Sequence, residues 1–190
     1  DRARWNYTFV DPDWHRGNPK GYAEWFKLQM VVRQRLLKEA YAQREVALSA
    51  EDVPDYKVKT PLQQAVQILK RHRDTFFKGE DKPSSIILTT LAAQAYDNEE
   101  LLVEAMESIV YGMERYIIRK GYAELWVENP VDPTENFADA WKDDPEKRDR
   151  FYEWLGKLNR DWELAKQNPD NLQQILEGRL GEGVVKRAFQ

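Results

Sequence analysis

The placement of proline is the feature that most constrains the fold of this 190-residue chain. Five of its nine prolines stand at the start of a helix-forming run. Proline suits the first position of a helix because the N–H that it lacks would have no intrahelical partner there. The pattern predicts helices that begin at Pro19, Pro61, Pro83, Pro145 and Pro169. It therefore indicates an all-α fold.

The spacing of apolar residues predicts how far these helices extend. Apolar side chains recur at three- and four-residue steps, as on the buried face of a helix. The predicted helices are 18–48, 61–77, 83–96, 97–119, a short one over 135–141 capped by Thr134, and one each from Pro145 and Pro169, with an extended piece over 122–128. We expect a compact bundle of about six to seven helices.

Composition excludes several kinds of protein. The chain has no cysteine, so a disulfide framework and thiolate chemistry are absent, and a cytoplasmic location is expected. Its two histidines, His15 and His72, lie far apart without the carboxylate spacing of a zinc site. No apolar run is long enough for a membrane span, and the net charge of −4 argues against a nucleic-acid partner.

A basic stretch precedes the predicted start of the third helix. Residues 57–82 hold seven Lys or Arg against three Asp or Glu in an otherwise acidic chain. Ser84 and Ser85 follow in the first turn of the next helix, where unpaired N–H groups and the helix dipole favour anions. With Lys70 and Arg73 on one face of the preceding helix, they predict a phosphate clamp. The alternative is a solvated basic face with serines that only cap a helix.

Four blocks of sequence resemble a known family. They are 18–26 (NPKGYAEWF), 61–74 (PLQQAVQILKRHRD), 82–93 (KPSSIILTTLAA) and 128–141 (ENPVDPTENFADAW). Together they resemble the C-terminal helical domain of bacterial nucleotidyltransferases that synthesise cyclic oligonucleotide second messengers in antiphage signalling. That family is related in fold to oligoadenylate synthase and cyclic GMP-AMP synthase. The resemblance implies an oligoadenylate-synthase-like helical domain.

The resemblance also implies roles for the clamp residues. A lysine and a serine of the family hold the triphosphate of the donor nucleotide, and Lys70 and Ser85 match them, with Ser84 as the alternative and Arg73 beside them. The family's catalytic half binds two Mg²⁺ ions through aspartates that follow a Gly-Ser motif. This sequence lacks that motif and has no catalytic or metal-binding residue of its own.

The expected domain organisation follows from that gap. Residues 1–17 are interpreted as the connector from a missing catalytic domain, and 18–190 as the helical domain, inactive alone. Asp11 and Asp13 have the spacing of an acidic pair, but Pro12 is unsuited to a central strand. The expected partners are an NTP substrate and the protein's own N-terminal catalytic domain.

Two other functions remain open. The basic run of a helical interaction module could dock an acidic partner, with no role for nucleotides. An RNA-binding domain is less favoured, because the chain is acidic and its basic and aromatic residues are not interleaved.

Overall fold

The computed structural model describes residues 18–44, 49–55, 58–79, 81–120 and 124–167. These residues form seven α-helices and two small antiparallel sheets, which confirms the all-α prediction. The helices are α1 (Pro19–Leu28), α2 (Val31–Arg44), α3 (Pro61–Phe76), α4 (Ser85–Ala95), α5 (Leu102–Gly112), α6 (Ala140–Asp143) and α7 (Pro145–Gln167), with 3₁₀ turns at Ala50–Asp52 and Met113–Tyr116. The strands are β1 (Ile118–Lys120), β2 (Glu124–Trp126), β3 (Glu128–Asn129) and β4 (Asp132–Asn136), paired as β1–β2 and β3–β4.

Helix α4 lies at the centre of the core. Its residues 87–93 are all buried, as expected for a helix that is apolar on most sides. Helices α3 and α5 pack against α4 and against each other, and α7 packs across α3 and α5. The apolar face of α7 is buried in this core through Phe151, Trp154, Leu155, Leu158 and Trp162. This packing fixes the position of the α4 start relative to α3.

The start of α3 is fixed by a capping box. The Thr60 hydroxyl accepts from the Gln63 N–H at 3.3 Å, and the Gln63 side chain accepts from the Thr60 N–H at 3.0 Å. Such reciprocal bonds satisfy two backbone donors that the helix leaves unpaired. Pro61 is the first residue of α3, as predicted, and Pro19 and Pro145 likewise begin α1 and α7.

Pro83 does not begin a helix, so that prediction is wrong by two residues. Helix α4 begins at Ser85, with Ser84 as its cap residue. The Pro83 carbonyl accepts a hydrogen bond from Arg73 Nη1 at 2.9 Å instead of joining the helix. The helix predicted from Pro169 lies outside the described residues, as do the proposed connector 1–17 and residues 45–48.

The single long helix predicted from Asn18 is also wrong, because it is two helices. The chain turns at Gln29 and Met30 between α1 and α2. Met30 is fully buried, and its sulfur accepts a hydrogen bond from the Thr60 hydroxyl at 2.9 Å. The break between α1 and α2 therefore coincides with a tertiary contact, in which Met30 is buried beneath the start of α3. Nothing in the local sequence indicates this contact.

The helix predicted over 97–119 is shorter than expected. It begins at Leu102 and ends at Gly112, and the acidic residues Asp97, Glu99 and Glu100 lie before it. A Cβ on Gly112 would stand 3.1 Å from the Ala95 Cβ, so glycine allows α4 and α5 to approach closely here. The chain then passes through a 3₁₀ turn into β1, where β-branched Ile117 and Ile118 favour an extended backbone.

The short helix predicted over 135–141, with Thr134 as its cap, is a further error. Residues 132–136 form β4, and the Thr134 hydroxyl donates to Asp132 Oδ1 at 2.6 Å. The side chain of Asn136 joins three backbone groups by accepting from the Val127 and Ala138 N–H groups and donating to the Leu125 carbonyl. These contacts hold the end of β4 extended and tie it to β2 through Leu125, so helix α6 begins only at Ala140. The extended piece predicted at 122–128 is present from residue 124 as β2 and the start of β3, and residues 122–123 lie outside the described residues.

A hydrogen-bonded pair of aromatic residues links α3 to α7. The Trp154 indole N–H donates to His72 Nδ1 at 3.1 Å, and His72 Nε2 lies 3.1 Å from Asp161 Oδ2. Because Nδ1 accepts a hydrogen bond, the ring carries its proton on Nε2. This N–H donates a hydrogen bond to Asp161. His72 thus holds the two helices together.

Among the residues described, we find no helix both long and apolar enough to cross a bilayer.

Candidate functional site: the junction of helices α3 and α4

The side chain of Arg73 organises the junction between α3 and α4. It projects from the last turn of α3, and only 5% of Arg73 is exposed. Its Nη1 donates to Ser85 Oγ at 2.7 Å and to the Pro83 carbonyl at 2.9 Å. Its Nε and Nη2 donate to Asp74 Oδ1 at 3.0 and 2.8 Å. The guanidinium therefore ties the beginning of α4 to the end of α3.

Asp74 and Lys82 complete this network, although neither was predicted as a site residue. The Lys82 ammonium lies 2.9 Å from Asp74 Oδ1. Burial alone would raise the pKa of Asp74, but hydrogen bonds from Lys82 and Arg73 outweigh burial and lower that pKa. Asp74 is thus an anion shared by two cations. The sequence does contain a signal for Asp74, because this carboxylate directly follows Arg73 within the basic stretch.

Lys70 lies one turn before Arg73 on α3, as the three-residue spacing predicted. It is half-buried. Burial, and next the positive charge of Arg73, hold the pKa of the Lys70 ammonium below its usual range, while Asp74 acts in the opposite direction. A cation in such surroundings gains from the approach of an anion, because the anion supplies the missing opposite charge.

Both serines at the start of α4 are exposed. The Ser85 oxygen accepts from Arg73, and a hydroxyl that accepts still has its own hydrogen to donate. Ser84, the cap residue, makes no side-chain hydrogen bond to the helix. The first backbone N–H groups of α4 are therefore not capped by this side chain, and together with Ser85 they present donors at the positive end of the helix dipole.

The four predicted clamp residues thus do not all lie at one site. The structure brings Arg73 and Ser85 into direct contact and sets Lys70 on the same side of α3. Ser84 lies beside them in sequence but faces a separate cavity, which is described below. The direct nucleotide contacts predicted for all four stay predictions.

The described residues contain no cluster of side chains suited to hold a metal ion. No group of three His, Cys, Asp or Glu side chains in ranges 18–44, 49–55, 58–79, 81–120 and 124–167 is arranged to hold one.

Comparison with known proteins identifies relatives of the chain. No family model matches it. It is 35% identical over 158 residues to a c-di-GMP synthase of Roseivirga ehrenbergii, an alignment that covers 81% of this chain and 41% of the relative. It is 28% identical over 191 residues to the cyclic dinucleotide synthase CdnG of Bradyrhizobium diazoefficiens, covering 91% of this chain and 46% of CdnG.

The fold agrees with these sequence matches. The solved structure of the CD-NTase CdnG of Bradyrhizobium diazoefficiens in complex with GTP superposes with a TM-score of 0.63 at 27% identity, covering 91% of this chain and 54% of that one. The chain spans about half the length of these relatives. The helical fold and these relatives place the chain in a class of proteins related to nucleotidyltransferases. Within that class, the chain is a homologue of part of the cyclic oligonucleotide synthases, which confirms the family resemblance.

Proposed function

We propose that this chain is the helical half of a nucleotidyltransferase that makes cyclic, or linear, oligonucleotide second messengers from NTPs in antiphage defence. In this proposal the chain contributes contacts to the donor triphosphate. The observation that carries it is the junction of α3 and α4, where the exposed Ser85 hydroxyl is held by Arg73 near Lys70 in a homologue of a GTP-binding synthase.

Each residue at the junction has a distinct task in this proposal. The Ser85 hydroxyl and the first N–H groups of α4 donate hydrogen bonds to phosphate oxygens, and the Lys70 ammonium offsets their charge. Arg73 acts through Ser85. Because its guanidinium occupies one lone pair of the Ser85 oxygen, the hydroxyl hydrogen is directed away from Arg73 and is left for the ligand.

The remaining parts of the reaction belong to partners of this chain. We assign the divalent metal, which neutralises charge during phosphoryl transfer, to the catalytic half of the same protein. We interpret residues 1–17 as the connector to that half and 18–190 as the helical domain, inactive alone. A cytoplasmic location, where NTPs are available, is part of the proposal.

Replacement of Lys70 tests this function in the full-length enzyme. Lys70→Ala should lower kcat/KM for NTP by about 10- to 100-fold, because a hydrogen bond to a charged group contributes about 1.5–3 kcal/mol. Lys78→Ala is the matched control, since it removes an exposed lysine just beyond α3 and should leave kinetics near wild type. Unchanged kinetics for Lys70→Ala would favour the solvated basic face and the interaction module.

A further inference from the structure

A separate cavity of about 300 Å³ opens beside the start of α4. Ser84 and Ile87 line it from α4, and residues of α6 and α7 line it from the opposite side. Ser85 instead bonds to Arg73 on α3. The two adjacent serines therefore have different neighbours, and the cavity adjoins the proposed triphosphate clamp without including Ser85, Arg73 or Lys70. Its volume is at the lower end of the range for small-molecule sites.

The apolar part of the cavity is built from rigid side chains. Ile87 is 2% exposed and Trp141 6% exposed, and Phe137 and Pro83 lie beside them. The Trp141 ring packs against Phe151 with 5.2 Å between centroids, so it is supported from the core side. Aromatic and apolar surfaces of this kind suit a flat ring, because aromatic pairs gain energy beyond area burial.

The charged part of the cavity favours an anion. Lys82, Lys147 and Arg150 line it together with one carboxylate, Asp81. Arg150 lies 3.4 Å from Asp81 and 3.2 Å from Glu146, and both carboxylate side chains are about four-fifths exposed. Exposed ion pairs contribute little, so a phosphate can replace these partners with stronger charge-assisted hydrogen bonds.

We propose that this cavity binds a small anion that carries a flat aromatic ring, of the size of a nucleoside monophosphate. The ring lies against Trp141 and Ile87, and the anionic group lies between Arg150 and Lys147. The cavity adjoins the clamp through Lys82, Pro83 and Ser84. The residues proposed to contact the ligand are not clamp residues, so this inference does not rest on the proposed catalytic function.

The test is ¹⁹F NMR of the full-length protein labelled with 5-fluorotryptophan. The Trp141 resonance is assigned by its disappearance in Trp141→Phe. GMP should shift this resonance in a saturable manner, whereas guanosine or inorganic phosphate alone should bind more weakly, because each offers only half of the recognised chemistry. A Trp141 resonance that does not move with millimolar GMP would overturn the proposal.

Three variants locate the bound molecule. Arg150→Gln should weaken GMP binding at Trp141 about tenfold, whereas Lys142→Ala, which removes an exposed lysine of α6 outside this cavity, should not. Lys70→Ala should leave the shift intact. If Lys70→Ala abolishes the shift, the signal comes from the triphosphate clamp and this proposal is wrong. Normal NTP kinetics with a silent Trp141 would refute this site and leave the proposed function standing.

Discussion

Lys70 is a side chain on which burial and a neighbouring charge act in the same direction. Both lower the pKa of its ammonium group. Its position on the same helical face as Arg73 was predictable, since residues three apart are neighbours on a helix. The bond from Arg73 to Ser85 was not, because it joins two helices across a loop whose path is set by tertiary contacts.

A lowered pKa makes Lys70 lose its proton earlier than an ordinary lysine as the pH rises. We therefore predict that kcat/KM for NTP in the full-length enzyme falls on an alkaline limb below pH 10.5, the ordinary lysine value. Lys70→Arg should move this limb upward, because arginine stays protonated. Lys78→Arg is the control and should leave the limb in place. A limb that does not move in Lys70→Arg belongs to another group.

At the scale of elements, α3 and α7 are joined by a hydrogen bond between buried rings. Trp154 donates to His72, whereas the N–H of Trp162, two turns further along α7, has no partner among the described residues although Trp162 is equally buried. The two indoles thus form a natural comparison on one helix.

We predict that Trp154→Phe destabilises the protein by about 1–3 kcal/mol more than Trp162→Phe. Both changes remove similar ring volume, but only Trp154→Phe leaves a buried acceptor, His72 Nδ1, without its donor. Urea unfolding of the two variants, compared with wild type, measures the difference. Equal losses of unfolding free energy would mean that the bond contributes nothing beyond ring packing.

The elements also show why only part of the fold could be predicted. Pro19, Pro61 and Pro145 begin helices as expected, because the preference of proline for that position is local. Pro83 does not, because its carbonyl is bound by Arg73 from another helix. Likewise, Asn136 holds β4 extended through backbone groups of residues 125 and 127, and local capping rules cannot anticipate contacts of that kind.

For the whole molecule, four tyrosines connect stability to alkaline pH. Burial is the largest cause that raises the pKa values of Tyr22, Tyr96, Tyr111 and Tyr152. Burial and next the charge of Glu99 raise the pKa of Tyr96 to about 12. A raised pKa in the folded state means that folding favours the neutral phenol. The stability that this provides is complete below pH 10 and is lost as pH rises towards 12.

We predict that Tyr96→Phe makes the free energy of unfolding less dependent on pH between 10 and 12. Phenylalanine cannot ionise, so the contribution of this position no longer changes with pH. Urea unfolding across that window, followed by circular dichroism, measures the slope for wild type and variant. Tyr116→Phe, at an exposed position, is the control. An unchanged slope in Tyr96→Phe would assign the alkaline loss to other groups.

The guanidinium of Arg73 also has a mechanical consequence. Because the Pro83 carbonyl and the Ser85 hydroxyl both accept hydrogen bonds from Arg73, the start of α4 is tied to the last turn of α3. These bonds favour movement of the two helix ends together over movement of either end alone. A ligand that contacts Lys70 and Ser85 would therefore meet two groups that are already positioned, and little reorganisation would be needed.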